Sequence, residues 1–381
     1  MNFELSPEQE ELKQAVADFA RKELNANLLA DERAGRFSRE KWDALARLGI
    51  QGLSIPEEFG GTGRDLLATV CAMEGLGYGC ADNGLIFSVN AHMWAVETPI
   101  LRFGTPEQKR RYLPKLVSGQ WIGAHGMTEE GSGSDAFNVQ TSARRVGDRY
   151  VLNGSKTFIT NAPIADVVIV FATVDPEAGS EGITAFIVER DTPGLAVSPG
   201  MEKMGLRTSP MGQVFLADCE VAESQRLADE GAGLAIFQSS MDHERACILA
   251  ANVGAMQRQL EECIERARTW KRFGKPIGKF QSVSNKVADM RVRIETAQLL
   301  IYKTAWLKGQ GKRTPMESAM AKLYVSECMV QSGLDAIQLF GGYGYVSELG
   351  IERNLRDAVG GTIYSGTSEI QRMIIARHLG L

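Results

Sequence analysis

The chain has 381 residues, 44% hydrophobic and 23% charged, with a formal net charge of −5, a composition ordinary for a globular protein of two or three domains. It carries no basic tract, which argues against nucleic acid as the main partner, because phosphate neutralisation needs clustered Lys and Arg. No apolar run approaches the ~20 residues of a membrane helix, and the acidic opening lacks the charged-then-apolar layout of a signal peptide, so a cytoplasmic location without a membrane partner is expected.

The first 120 residues read as helices. Ser6-Pro7-Glu8-Gln9 combines an N-cap, a proline at the first helical position and a capping-box glutamine. Leu12, Val16, Phe19 and Leu24 then recur at helical spacing. Thr105-Pro106-Glu107-Gln108 repeats that opening, and Gly60-Gly61-Thr62-Gly63 forms a loop between helical segments. From Trp121 to Asp229 the pattern turns to strand. Tyr150-Val151-Leu152, then Asn153-Gly154, then Lys156 to Thr160 is a hairpin signal. Asp166 to Phe171 reads as a buried strand, with further strands at Gly182 to Arg190 and Gln213 to Val221. From Glu230 the chain is helical again. A long proline-free stretch runs from Ala235 to Thr269, a second helix from about Ser282 to Lys308, and a third from about Pro315 to Phe340. The expected architecture is α+β: an N-terminal helical domain at 1–120, a middle β-domain at 121–230 and a C-terminal helical bundle at 231–381.

Six cysteines, none in a C-x-x-C pair, read as reduced and buried thiols. Four scattered histidines give no basis for a metal site. Gly131-Ser132-Gly133-Ser134-Asp135-Ala136 formally matches a dinucleotide fingerprint, but Asn138 to Arg145 after it reads as strand, not helix. A tight turn, or a loop that lets a ligand approach the backbone closely, are the two readings left.

Several weak motifs become specific in combination. They are Met127-Thr128-Glu129-Glu130-Gly131-Ser132-Gly133-Ser134-Asp135, Phe158-Ile159-Thr160-Asn161, Arg272-Phe273-Gly274-Lys275-Pro276-Ile277, Phe280-Gln281, Gln338-Leu339-Phe340-Gly341-Gly342 and Gly366-Thr367-Ser368-Glu369-Ile370-Gln371-Arg372. In this order, on an α-β-α layout, the chain closely resembles the acyl-CoA dehydrogenase flavoproteins along essentially its whole length. The resemblance implies that family's fold, ending in a four-helix bundle, with FAD between the β-domain and the C-terminal helices. It implies that His125, Met127 and Thr128 face the flavin ring and that Phe158, Ile159 and Thr160 cover its other side. Ser134 would lie near the thioester arm or the cofactor phosphates. Arg272, Phe273, Gln281, Gln338 and Gly342 would hold the adenine and diphosphate end from a neighbouring subunit, and Thr367 and Glu369 the diphosphate and ribose. A shared site implies a homotetramer, and the family's usual electron acceptor is an electron-transfer flavoprotein. Two positions depart: Trp270 stands where the family commonly has an arginine, leaving Arg272 as the favoured source of charge, and Glu130 stands where proline is usual.

The reaction removes a proton α to a thioester carbonyl, which calls for a desolvated carboxylate. In most of the family a glutamate occupies the position of Ser365, and a serine hydroxyl is far too weak a base. Met241-Asp242-His243-Glu244-Arg245-Ala246 resembles the isovaleryl- and long-chain branches, where the base sits on the long helix and a small residue on the C-terminal loop. Glu244 lies on a helical row with Ser240, Met241, Cys247, Ile248 and Ala251, out of place on a solvated face. A helix glutamate is more often an ion-pair partner; the resemblance, with the vacancy at Ser365, favours catalysis. Ser365 is then expected to be passive, leaving room for the carboxylate while its N–H bonds the thioester oxygen. Asp242, Arg245, Ser134 and Ser365 are the expected substrate-side residues, and His243 is expected to be structural.

The carrier is either coenzyme A or the phosphopantetheine of a carrier protein. Phe158 to Asp166, Phe280 to Asn285 and Val330 to Gln338 resemble a subgroup that oxidises carrier-bound prolyl groups toward pyrrole, and a short or branched acyl-CoA is the substrate weighed beside it. Two rivals stand beside a dehydrogenase: an oxygen-using flavoenzyme on the same fold, and a non-catalytic acyl-thioester binder.

Overall fold

The computed structural model describes residues 4–381; residues 1–3, which open the first expected domain, lie outside the described residues. Helices α1 (Pro7–Glu23), α2 (Leu28–Ala34), α3 (Arg39–Leu48), α4 (Leu66–Gly79), α5 (Asn83–His92), α6 (Thr98–Phe103) and α7 (Pro106–Val117) form the N-terminal part. Both predicted capping boxes are made, by Ser6 with Gln9 and by Thr105 with Gln108, each with proline in the first turn. A π-helical turn, Met93–Glu97, joins α5 to α6.

Helix α4 is sandwiched tightly. A Cβ on Gly75 would stand 2.2 Å from the Lys13 carbonyl of α1, and one on Gly77 would stand 1.8 Å from the Ala251 carbonyl of α9 (Ala250–Thr269). These glycines exist because backbone meets backbone there.

The middle part is a sheet of β1 (Gly123–Gly126), β2 (Ser142–Val146), β3 (Arg149–Thr160), β4 (Val167–Thr173), β5 (Ile183–Glu189), β6 (Leu195–Val197), β7 (Met211–Ala222) and β8 (Arg226–Leu227). Its order is β6-β7-β3-β2-β4-β5-β8, with β1 parallel to β4. Strand β4 is buried on both faces, so it reads as a continuous apolar run. Val167, Ile169 and Phe171 pack with α7 and with Ile236. Val168 and Val170 pack with Tyr150, Leu152 and Val214.

The C-terminal part contains α8 (Gly233–Cys247), α9, a two-stranded ribbon of β9 (Lys271–Arg272) and β10 (Lys275–Pro276), α10 (Gln281–Gly309), α11 (Pro315–Phe340), α12 (Gly342–Tyr345), α13 (Ile351–Gly361) and α14 (Ser368–His378). Its apolar faces join those of α1 and α3–α5 in one core that includes Trp42, Trp94, Met290 and Ile301. All six cysteines are free and buried. Among the described residues no helix is long and apolar enough to cross a membrane.

Two expectations are corrected. Asn153-Gly154 is not a hairpin turn: β3 runs straight through it, and the chain reverses instead between Val146 and Arg149. The pair forms a bulge opposite β7, with Gly154 at φ 148° and Thr141 Oγ1 2.6 Å from where a Cβ would be. Asn153 is held by the Asp218 N–H, which it accepts at 2.8 Å. The stretch from Ala235 to Thr269 is also not one helix. Leu249, at ψ 4°, breaks it into α8 and α9.

Candidate active site

Helix α8 buries one face, and Glu244 lies on it with Ser240, Met241 and Cys247. Glu244 is 8% exposed. Its carboxylate accepts a hydrogen bond from the Ser365 hydroxyl. Burial pushes the Glu244 carboxyl above the usual range, while the Ser365 bond, then the charges of Arg245 and Lys322, pull it partly back.

The loop carrying Ser365 is pinned from three helices. Arg245 Nε of α8 donates to the Ser365 carbonyl at 2.9 Å. Gln371 Nε2 of α14 donates to the Ser365 and Gly366 carbonyls at 3.1 and 2.8 Å. Lys322 Nζ of α11 donates to the Gly366 carbonyl at 2.7 Å, and burial lowers that ammonium to about 8. Ser365 itself is left-handed at φ 56°. Thr367 caps α14 by accepting the Ile370 N–H, and Glu369 is exposed in its first turn.

Beside this centre the Tyr364 and Phe87 rings lie 4.5 Å apart. They help line a cavity of about 10 Å³, together with Asn83, Asn90, Asp357 and Ile248, the last one turn from Glu244. That is room for about one water.

The neighbours of Glu244 behave differently from one another. Asp242, expected on the substrate side, is engaged by Lys308 of α10, and its Oδ1 is buried without a partner. His243 Nδ1 donates to the Ser239 carbonyl at 2.9 Å, and burial lowers the ring to about 4, so it is neutral at pH 7.

The second part of the site is the loop after β1. His125 clusters with Phe171 and Phe237, whose ring centres are 5.0 and 5.9 Å away. Its Nε2 is buried without a partner, and burial lowers it to about 4. Met127 is buried, and the Thr128 carbonyl accepts the Thr157 N–H at 2.9 Å, which brings Met127 and Thr128 beside Phe158, Ile159 and Thr160. Phe158 is left-handed at φ 58° and 60% exposed, while Ile159 is buried and Thr160 half-buried. An exposed aromatic ring held in a strained backbone is a surface awaiting a partner. Ser134 is exposed on the same loop.

A buried pair fixes this loop. Lys156 Nζ lies 2.6 Å from Glu129 Oε1 and 3.3 Å from the Met127 carbonyl. Glu129 also accepts the N–H groups of Gln140 and Thr141 and the Thr141 hydroxyl, at 2.7, 3.0 and 2.6 Å.

Arg272, Phe273 and Gln338 meet elsewhere, around a cleft of about 420 Å³ also lined by Phe280, Ser282 and Lys286. Gln281 opens α10 at its edge and Gly342 opens α12. No residue of this cleft lines the cavity near Glu244. The guanidinium groups of Arg266 and Arg272 both lie against Trp270, 3.6 and 4.5 Å from its ring centre. Arg272 is exposed, so a positive charge stands here although the usual arginine is absent.

These residues fit a flavin dinucleotide: an exposed Phe158 ring and an orphaned His125 nitrogen for the ring system, and a cation-lined cleft for a diphosphate. Sequence reasoning missed Lys156, Lys322, Tyr364, Gln371 and Arg266. Lys322 had a signal, since a lysine between Ala319, Ala321 and Val325 on a helix is unlikely to be solvated.

Family models match the chain in three blocks: the acyl-CoA dehydrogenase N-terminal domain over residues 6–120, the middle domain over 124–219 and the C-terminal domain over 231–380. An L-prolyl-peptidyl-carrier-protein dehydrogenase of Pseudomonas fluorescens is 44% identical, over 100% of both chains. The crystal structure of the prolyl acyl carrier protein oxidase AnaB is similar with a TM-score of 0.98 at 48% identity, covering 99% of this chain and 100% of that one. The structure of PigA with FAD and proline is similar with a TM-score of 0.98 at 42% identity, covering 100% of both.

Proposed function

The chain belongs to the acyl-CoA dehydrogenase family of FAD-dependent oxidoreductases, and from there we propose that its substrate is the L-prolyl thioester of a carrier protein, with Glu244 as the base. The observation that carries the choice of acyl group is the full-length likeness to prolyl-carrier enzymes.

FAD, when bound, supplies the acceptor for a hydride and so for two electrons. The chain supplies the rest. Glu244 takes the proton from the carbon next to the thioester carbonyl; its burial makes it a stronger base than a solvated carboxylate. The Ser365 N–H has no acceptor in the chain among the described residues, and it would meet the thioester oxygen as charge develops there. Arg245 keeps that N–H in place through the Ser365 carbonyl. Met127, Thr128, Phe158, Ile159, Thr160 and His125 would enclose the flavin ring. Arg272, Phe273, Gln281, Gln338 and Gly342 would hold the far end of the FAD of a neighbouring subunit in a homotetramer, with Thr367 and Glu369 near the diphosphate. Ser134 would lie near the arm of the thioester. An electron-transfer flavoprotein is the acceptor this reading implies, in the cytoplasm.

The test is anaerobic mixing of the holoenzyme with prolyl-loaded carrier protein and with short and branched acyl-CoAs, followed by loss of the oxidised flavin band. Bleaching by the prolyl carrier alone is expected. Bleaching by an acyl-CoA alone would replace the proposed substrate. Glu244→Gln should keep FAD and lose nearly all flavin reduction.

A further inference from the structure

Ser365, which the family resemblance leaves passive, has a side chain that is not idle. The Ser365 hydroxyl is the one hydrogen-bond donor to the Glu244 carboxylate among the described residues. We infer that Ser365 is a positioning residue for the base: it fixes the carboxylate's orientation and keeps it ionised at working pH. The inference rests on the reading of Glu244 as the base.

The backbone argues that the hydroxyl is placed rather than incidental. Ser365 adopts φ 56° and Gly366 φ 90°. The left-handed region disfavours a side chain at Ser365, so a glycine would be easier there. The two carbonyls of this turn are tied by Arg245, Gln371 and Lys322, from three different helices. None of those three donors reaches the carboxylate. They spend their hydrogen bonds on the turn, and the turn delivers one hydroxyl to Glu244. A donor to a charged acceptor in a site shielded from water is stronger than a neutral hydrogen bond. Without it the buried carboxyl would hold its proton to higher pH, and the fraction ready to act as base would fall.

The other charged groups near Glu244 are already engaged. Lys322 faces it from α11, and Arg245 adjoins it on α8. Asp242 is paired with Lys308 of α10, and His243 of α8 is neutral with Arg102 of α6 beside it. Glu97, in the π-helical turn against α8, is bound to His92. The Tyr364 hydroxyl, pushed up by burial and by Glu244, stays protonated.

Ser365→Gly removes the hydroxyl and relieves the backbone, so the variant should fold and keep FAD. The rate of anaerobic flavin reduction is measured by stopped flow from pH 5 to 9, in the wild-type holoenzyme, Ser365→Gly and Glu244→Gln. The probe is prolyl-loaded carrier protein or, if that leaves the wild-type flavin oxidised, the acyl-CoA that bleaches it. The acid limb of the Ser365→Gly profile is expected to move up by about one pH unit, with roughly a tenfold loss of rate on the limb, KM little changed and the plateau partly regained at high pH. A residue that merely fills space would leave the limb where it is. If Glu244→Gln is dead and the limb in Ser365→Gly does not move, the role of Ser365 is refuted and the base stands. If Glu244→Gln still reduces the flavin, the base itself is wrong and this inference falls with it.

Discussion

Replacing Lys156 by methionine tests whether the buried pair is what holds the flavin-facing loop. The Lys156 side chain is fully buried and the Glu129 side chain 7% exposed, so removing the ammonium leaves a carboxylate with little access to water. Breaking a buried pair by removing one partner costs about 3–5 kcal/mol. Glu129 keeps three other donors, from Gln140 and Thr141, so the low end, about 3 kcal/mol, is expected. The same loss frees the Met127 carbonyl and loosens the segment from Met127 to Thr141, so FAD should be lost more readily. Urea unfolding of the holoenzyme and flavin fluorescence after gel filtration read the two effects. Lys156→Met combined with Glu129→Gln removes both charges and should recover about half of the lost stability. The reasoning fails if the single variant unfolds at the wild-type urea midpoint with full FAD, or if the double variant is no better than the single.

Other outcomes follow from the same geometry. Gly77→Ala should lower stability by about 3 kcal/mol or prevent folding, because its Cβ would strike the Ala251 carbonyl at 1.8 Å; a melting temperature within a degree of wild type would refute the close crossing of α4 and α9. Arg272→Ala should weaken FAD binding about tenfold if this exposed guanidinium serves the diphosphate, read by fluorescence titration of the apoprotein; Trp270→Arg should recover it. His125 and His243 are held neutral, with their pKa values lowered to about 4 from 6.5. The unfolded chain therefore binds protons that the folded chain refuses as pH falls from 6.5 toward 4. Stability should be intact above pH 6.5 and fall through that window, by up to about 3 kcal/mol per histidine; His243→Gln should flatten the fall, and identical acid unfolding curves would contradict this.

Much of the framework was legible because local chemistry and final structure agree. The two S/T-P-E-Q openings start helices wherever they occur, and Pro315 begins α11 as its fixed φ favours. The failures come from forces that act at a distance. Asn153-Gly154 has the chemistry of a tight turn, but Thr141 and Asp218, far along the chain, make it a bulge instead. Nothing near Ala250 signals the break between α8 and α9. At the site, the burial of Glu244 was legible from its apolar helical row. The bond from Ser365 was not, since it joins residues 121 apart. The pairing of Asp242 with Lys308 was hidden for the same reason, since it joins α8 to α10.

The first strand of the sheet has an unusual attachment. The Gly123 N–H at the head of β1 donates to His92 Nδ1 at 2.9 Å, and His92 Nε2 then faces Glu97 and the Leu116 carbonyl at 3.1 and 3.2 Å. Asn161 reaches the Ser88 carbonyl, and Gln108 reaches the carbonyls of Ser224 and Arg226. Side chains thus cross the seam in both directions, His92 and Gln108 meeting backbone groups of the sheet part and Asn161 meeting a carbonyl of α5. A segment cut at residues 121 and 230 would carry these donors and acceptors unmet, however well its own strands paired. The helices that precede the sheet act as its template, and the two parts should melt as one unit although the sequence divides them cleanly.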